Sequence, residues 1–393
     1  MNLDKLYETE CLRDPADGTY DKILGDLPDL FAKKDGTRVT TKEEWKAHRQ
    51  EMLTEMVDLC YGGMPPKPEV FLCRCLHGKT YNIIAGTKER TVSFELKLMM
   101  PPVEKEKYPV LLTGDDCWKD LSPVIVGKIL ERGFILAKFD RCMLADDVFS
   151  TARDFGVYPV YPEMKFGAIS AWAWGYMRCV DALETMDFVD MDRIAIAGHS
   201  RGGKTTLLAG AWDERIKYVQ SNASGMFGSG CFRYVQGEDP DNKIFNNTSS
   251  ETMEHMLGYG VPWDPIAFWF GPEMEQYKDR EQDLPFDAHF LKAAVAPRWL
   301  LETGSVDDIW SNPRGSYVTY RAAKEAYKFL GIPERIACGY RYGSHGHWIE
   351  DFTNFLDFIA AAEEKKPYLW ANADAIYGNL PKLYDWETPE RQD

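Results

Sequence analysis

The chain has 393 residues, with 46 Lys and Arg against 62 Asp and Glu and a formal net charge of −16. A protein that neutralises phosphates needs a basic face, and no run of Lys and Arg offers one, so nucleic acid is excluded as a partner. Hydrophobic residues at 45% suit a folded globule and are too many for a disordered chain.

No stretch approaches the roughly 18 consecutive apolar residues of a membrane span. The start, Met1-Asn2-Leu3-Asp4-Lys5, lacks the basic end and apolar run of a signal peptide. The expectation is therefore a soluble, cytoplasmic protein with no membrane association and no obligate protein partner. Nine Cys without a C-x-x-C pair suggest neither a disulfide framework nor a zinc site, and no metal or cofactor is expected.

Residues 1–45 are polar and form a lead-in. Residues 45–61 carry Met52, Leu53, Met56, Val57 and Cys60 at helical spacing, stopped by Gly62-Gly63-Met64-Pro65-Pro66. Alternation over 70–76 and 92–98 predicts half-buried antiparallel strands. After Met100 short continuous apolar runs at 109–113, 134–137, 193–197, 218–221, 299–301 and 336–340 alternate with helical patterns at 124–131, 168–186 and around 349–359. Continuous apolar strands alternating with helices predict a mostly parallel sheet covered on both faces, an α/β three-layer sandwich. The pattern breaks between about 225 and 297, which predicts a cap insertion in a catalytic domain spanning 46–363; a polar tail, 364–393, has no readable role.

Gly198-His199-Ser200-Arg201-Gly202 fits G-x-S-x-G and stands between a buried strand and a helix, the context this motif requires. The strained turn projects the Ser200 hydroxyl above the sheet while the helix start offers N–H groups to a developing oxyanion. Ser200 needs a base, and the α/β-hydrolase order is Ser, then an acid, then His, on loops after C-terminal strands. Of seven His, only His345 and His347 follow the last predicted strand; His345, behind Gly343 and Ser344, is the preferred base. A metal on the His345-x-His347 pair has no supporting acidic or His group.

Asp307, three residues past Gly304, is the preferred acid, with Asp308 the alternative. Arg201 supplies an oxyanion N–H and its side chain can add a charged donor; a second N–H is expected near Gly114 or Asp115. Lys204 opposes the macrodipole at the helix start, which suggests a ligand to hold, and its removal is expected to raise stability slightly if anything. Of the twelve Trp, Trp172 and Trp174 on a predicted helix are expected in the core, whereas Trp310, after the acid loop, is a candidate at the site.

These residues give the chain a resemblance to the bacterial branch of carbohydrate esterase family 15, the glucuronoyl esterases, over roughly residues 48–360. The likeness runs through Tyr61-Gly62-Gly63-Met64-Pro65, the stretch 166–175, Ser200-Arg201-Gly202-Gly203-Lys204, Ala296-Pro297-Arg298, Asp307-Asp308-Ile309-Trp310-Ser311-Asn312-Pro313 and Ser344-His345-Gly346. The resemblance implies an α/β-hydrolase fold and hydrolysis of an ester of 4-O-methyl-glucuronic acid, with Ser200 as nucleophile, His345 as base, Arg201 at the oxyanion, and Lys204 and Trp310 on the uronate ring. The substrate would be a small-molecule or oligosaccharide ester. This chain departs from the pattern at His199, where many members carry Cys. It departs again at Ala223, where fungal members carry their acidic Glu, so the acid must come from Asp307 or Asp308. Acetylated xylan or another acyl sugar is the alternative substrate, and a catalytically idle fold used for binding is the alternative of another class.

Overall fold

The computed structural model describes residues 20–117, 121–148, 153–237, 249–257 and 267–393. Nine strands form one sheet: β1 (Val70–His77), β2 (Thr80–Gly86), β3 (Thr91–Met99), β4 (Tyr108–Thr113), β5 (Ile135–Phe139), β6 (Val189–His199), β7 (Tyr218–Asn222), β8 (Trp299–Ser305) and β9 (Ile336–Arg341). Their spatial order is β9-β8-β7-β6-β4-β5-β3-β2-β1. From β5 to β9 all neighbours pair in parallel, whereas β3 joins β5 antiparallel and continues into the β3-β2-β1 meander. Of that meander, sequence alternation revealed β1 and β3 but not β2, where Ile83 and Ile84 stand side by side and blur the period of two.

The two-residue period sends side chains of one strand to two cores. Val110, Leu112, Ile135, Ala137, Ile194, Ile196 and Leu300 join the larger cluster on one face. Their neighbours Leu111, Leu136, Ala195, Ala197 and Leu301 join the other. The first face is covered by α1 (Lys42–Tyr61), α3 (Ala168–Glu184), α4 (Arg201–Trp212) and α5 (Pro313–Leu330), and the second by α2 (Pro123–Glu131) and α6 (Ile349–Glu364). This is the three-layer sandwich of an α/β-hydrolase.

α1 starts where Thr41 accepts from the Glu44 N–H at 3.1 Å and Glu44 reaches back to the Thr41 N–H at 3.3 Å, a capping box. It stops at Gly62, whose φ of 72° and contact with the Lys165 carbonyl leave no room for a Cβ. α3 is buried on nearly every side, with Trp172 and Trp174 donating to the carbonyls of Ala145 and Pro66, both at 2.8 Å, so these two are core.

In the insertion, residues 238–248 and 258–266 lie outside the described residues, as do 1–19 of the lead-in. The described lead-in pairs Lys22–Ile23 antiparallel with Tyr234–Val235. The tail is not a loose appendage: Leu380, Leu383 and Tyr384 are buried, Leu27 N–H donates to Leu383 O at 2.6 Å, and Trp386 donates to Leu27 O at 3.1 Å. Among the described residues no helix is long and apolar enough to cross a membrane.

Candidate active site

The site lies at the carboxyl ends of β6 to β9. At the β6–α4 turn Ser200 has φ 55° and ψ −120°, a backbone conformation that costs a non-glycine residue energy and is held only by its surroundings. The holding groups are visible. Ser200 N–H donates to Asn222 O at 2.9 Å, and Lys204 N–H donates to Ser200 O at 2.9 Å. A Cβ at Gly198 would strike the Gly202 carbonyl, and one at Gly202 would strike the Asp115 carboxylate, so the sharp turn needs both glycines. Asp115 accepts from the His199 N–H at 2.9 Å and is paired with the buried Arg141. Burial pushes the Asp115 carboxyl up, and Arg141 opposes that shift.

One expectation fails here. The N–H of Gly114 already donates to the Tyr176 hydroxyl at 2.6 Å, and that of Asp115 to the Thr113 hydroxyl at 3.3 Å. The Gly114 N–H is thus committed to the protein, and what Asp115 contributes in this structure is its carboxylate, on the elbow's backbone.

The acid is also corrected. His345 Nδ1 lies 2.6 Å from Asp308 Oδ2, not from Asp307. Because a carboxylate only accepts, Nδ1 carries the proton and Nε2 presents its lone pair, as a base requires. Asp308 is 3% exposed and also receives Ser311 Oγ, which sits 3.1 Å from His345 Nδ1. Asp307 accepts from the Gly343 N–H at 2.8 Å and so shapes the loop that carries the histidine. The physical reason is the length of β8, which runs to Ser305 and is followed by one more ladder bond, Val306 N–H to Arg341 O at 2.9 Å. Asp307 thus stays beside the β9 loop, and Asp308 is the first residue free to turn inward.

His199, noted in the sequence only as a departure, sits between other imidazoles. Its ring centroid is 4.4 Å from that of His345 and 5.9 Å from that of His347, and its Nδ1 contacts Asn222 Oδ1 at 2.7 Å. Burial, then His345, push its pKa to about 3, so it is neutral near pH 7. His347 stacks on Phe352 at 4.0 Å and contacts Gln220 Oε1 at 3.2 Å; burial pushes its pKa well down.

Arg201 and Lys204 begin α4 but turn in opposite directions. Arg201 donates to Asp147 Oδ2 at 2.9 Å and lies 4.4 Å over the Trp269 ring, whose Nε1 donates to Asp147 Oδ1 at 3.0 Å. Lys204 is 1% exposed, and its three protons go to Ser224 O at 2.5 Å, Met226 O at 2.7 Å and Glu251 Oε2 at 2.8 Å. The expectation that Lys204 holds a ligand is therefore corrected: its ammonium is spent on protein acceptors, and its compensation for the macrodipole is Glu251. Glu251 N–H in turn donates to Trp310 O at 2.9 Å, and the half-buried Trp310 ring lies 5.1 Å from His255, so the insertion is tied to the acid loop. Sequence reasoning missed Asp147, Glu251 and Trp269. No spacing rule links them to Ser200, and only the charge on Lys204 hinted that a counter-ion existed.

A family profile described as "Glucuronyl esterase, fungi" matches residues 83–331. The chain belongs to the glucuronoyl esterase family. It is 26% identical over 379 residues to the 4-O-methyl-glucuronoyl methylesterase of Schizophyllum commune, covering 92% of this chain and 90% of that one. It is 29% identical over 376 residues to the enzyme of the same name from Hypocrea jecorina, covering 92% and 75%. The solved carbohydrate esterase family 15 glucuronoyl esterase from Caldicellulosiruptor kristjansonii superposes with a TM-score of 0.82 at 28% identity, covering 93% of this chain and 98% of that one. As a member of the glucuronoyl esterase family, the chain is a carboxylic ester hydrolase on an α/β-hydrolase fold. The matched span includes Ser200 and Asp308 and ends before His345, so the base is identified by its geometry in this structure.

Proposed function

We propose that this chain hydrolyses 4-O-methyl-glucuronoyl esters through Ser200, His345 and Asp308. The observation that carries the reading is the 2.6 Å bond from His345 Nδ1 to Asp308, made beside the strained elbow of Ser200. In the first half-reaction Ser200 Oγ attacks the uronate carbonyl as His345 Nε2 takes the hydroxyl proton. Asp308 stabilises the imidazolium, and the N-terminus of α4, with the Arg201 guanidinium nearby, faces the developing oxyanion. The imidazolium then gives its proton to the departing alcohol, leaving a glucuronoyl ester on Ser200. Water, deprotonated by the same His345, cleaves that ester and restores the serine.

The names of the fungal relatives support a methyl-glucuronoyl substrate, and Trp310, two residues past Asp308, supports a sugar ring beside the triad, since an aromatic face suits the apolar side of a pyranose. The test is a rate comparison on methyl glucuronate, benzyl glucuronate, acetylated xylan and an aryl acetate, for the parent and for Ser200→Ala. The glucuronate esters should turn over fastest, and the variant should lose hydrolysis together with labelling by a fluorophosphonate. Faster turnover of acetylated xylan would reassign the substrate to acyl sugars. Hydrolysis and labelling that survive in Ser200→Ala would end the serine mechanism.

A further inference from the structure

Cys117 and Cys142 lie far apart in sequence and meet in the fold. The loops after β4 and β5 are joined by an antiparallel bridge between Asp115 and Asp140, and each cysteine stands two residues beyond its bridged aspartate. The Arg141 N–H donates to Gly114 O at 3.2 Å, which locks the two loops at the same place. The two sulfur atoms and a carboxylate oxygen of Asp140 all lie within 4.8 Å of one another, and all three residues are half-buried. Asp140 Oδ1 also accepts from the Cys142 N–H at 2.8 Å, so the carboxylate is oriented by the turn that carries the thiol.

We infer that Cys117, Asp140 and Cys142 form a binding site for a zinc ion, with a fourth position open to water. Two thiolates and one carboxylate make a borderline-soft donor set that suits tetrahedral Zn²⁺, whereas Ca²⁺ and Mg²⁺ demand oxygen throughout. Tetrahedral Zn²⁺, with Zn–S near 2.3 Å and Zn–O near 2.1 Å, needs donor separations of roughly 3.5 to 3.8 Å, so atoms already within 4.8 Å of one another have at most about 1 Å to close. Two thiolates, one carboxylate and Zn²⁺ leave one net negative charge, beside the buried Arg141, whose guanidinium is shared with Asp115 and Asp147.

A disulfide is the competing use of two neighbouring thiols, but it would leave the carboxylate without a part. A metal uses all three groups. Its effect is structural: it clamps the loops that present Asp115 and Arg141, and Asp115 holds the N–H of His199, next to the nucleophile.

The experiment takes the full chain, reduced, stripped by a chelator and kept anaerobic, and titrates it with Co²⁺ and then Zn²⁺. Thiolate-to-cobalt charge-transfer absorption should saturate at one Co²⁺ per chain and be displaced by Zn²⁺. Zn²⁺ uptake should release protons from the thiols and raise Tm by a few degrees. Cys117→Ser and Cys142→Ser should abolish the absorption, Asp140→Asn should weaken binding at least tenfold, and His345→Ala, which removes the base, should leave the absorption and the metal affinity unchanged. No charge-transfer band would overturn the inference. So would a band that survives in both Ser variants, or a band lost in His345→Ala, which would place the metal on the imidazoles. Recovery of the pair as a disulfide that takes up no metal even after reduction would overturn it as well. None of these readouts depends on ester turnover, so the outcome is independent of the proposed catalysis.

Discussion

Strands β1–β3 and strands β6–β9 belong to one sheet but are buried differently. Along β3 exposed and buried residues alternate without exception, whereas the stretches of β6, β8 and β9 that lead into the site are buried continuously, at 194–198, 300–305 and 336–340. The alternating edge has one face for the core and one for solvent, and its turns carry no chemistry. The fully covered strands end in loops that must hold polar groups at the rim of a dry interior, where hydrogen bonds and charges act at low dielectric. Every group of the candidate triad stands on such a loop. The two halves should therefore separate activity from stability.

The sharpest break is at the elbow. Ser200→Ala should lower kcat by about 10⁴ to 10⁶ while Tm stays near the parental value, because alanine keeps the Cβ and the backbone bonds that hold the turn. Stopped assays on benzyl glucuronate with a thermal melt of the same sample check both parts.

Next comes the acid. Asp308→Ala should cost about 10⁴ in kcat, since His345 loses both its orienting bond and the charge that stabilises its protonated form. Asp307→Ala, which only frees the Gly343 N–H, should cost tenfold or less. Equal losses would mean that the loop after β8 acts as a unit.

Lys204→Met crosses the divide, since it sits in the catalytic half but is a structural residue. It leaves Glu251 buried without its cation, and breaking such a pair costs about 3 to 5 kcal/mol of stability. Chemical denaturation should show that loss, with much of it recovered in Lys204→Met/Glu251→Leu. A stability gain from Lys204→Met alone would contradict this placement. At the alternating edge, Ile83→Val should cost only about 0.5 to 1.5 kcal/mol and leave kcat and KM unchanged.

The smallest effect concerns His199. Its folded pKa of about 3 lies below the unfolded value near 6.5, so the unfolded chain takes up a proton that the folded chain refuses. The stability contributed by the neutral ring is complete above pH 6.5 and is lost as pH falls toward 3. Between pH 7 and pH 5, Tm should therefore fall less steeply in His199→Gln than in the parent.

What the sequence disclosed follows the range of the forces involved. The nucleophile elbow, the parallel strands and the base are local patterns, written in adjacent residues or in the period of a strand. Choosing Asp308 over Asp307 depended on where β8 stops, and that is set by its pairing with β9 some thirty residues later. Lys204 looked like a free cation because Glu251 lies in an insertion with no periodic pattern. Trp269 and Asp147 come to Arg201 from two different loops, and the cysteine pair is assembled by a bridge between two strand ends. Each of these is a tertiary meeting of single residues, which leaves no trace in spacing.

The grip of Glu251 also bears on the rhythm of turnover. Lifting the described part of the insertion away from α4 would strip a buried ammonium and a buried carboxylate of each other, several kcal/mol for each opening. Residues 249–257 therefore travel with the elbow and cannot serve as a hinged door. Turnover on small esters therefore does not wait for this segment to open, in contrast to enzymes limited by lid opening.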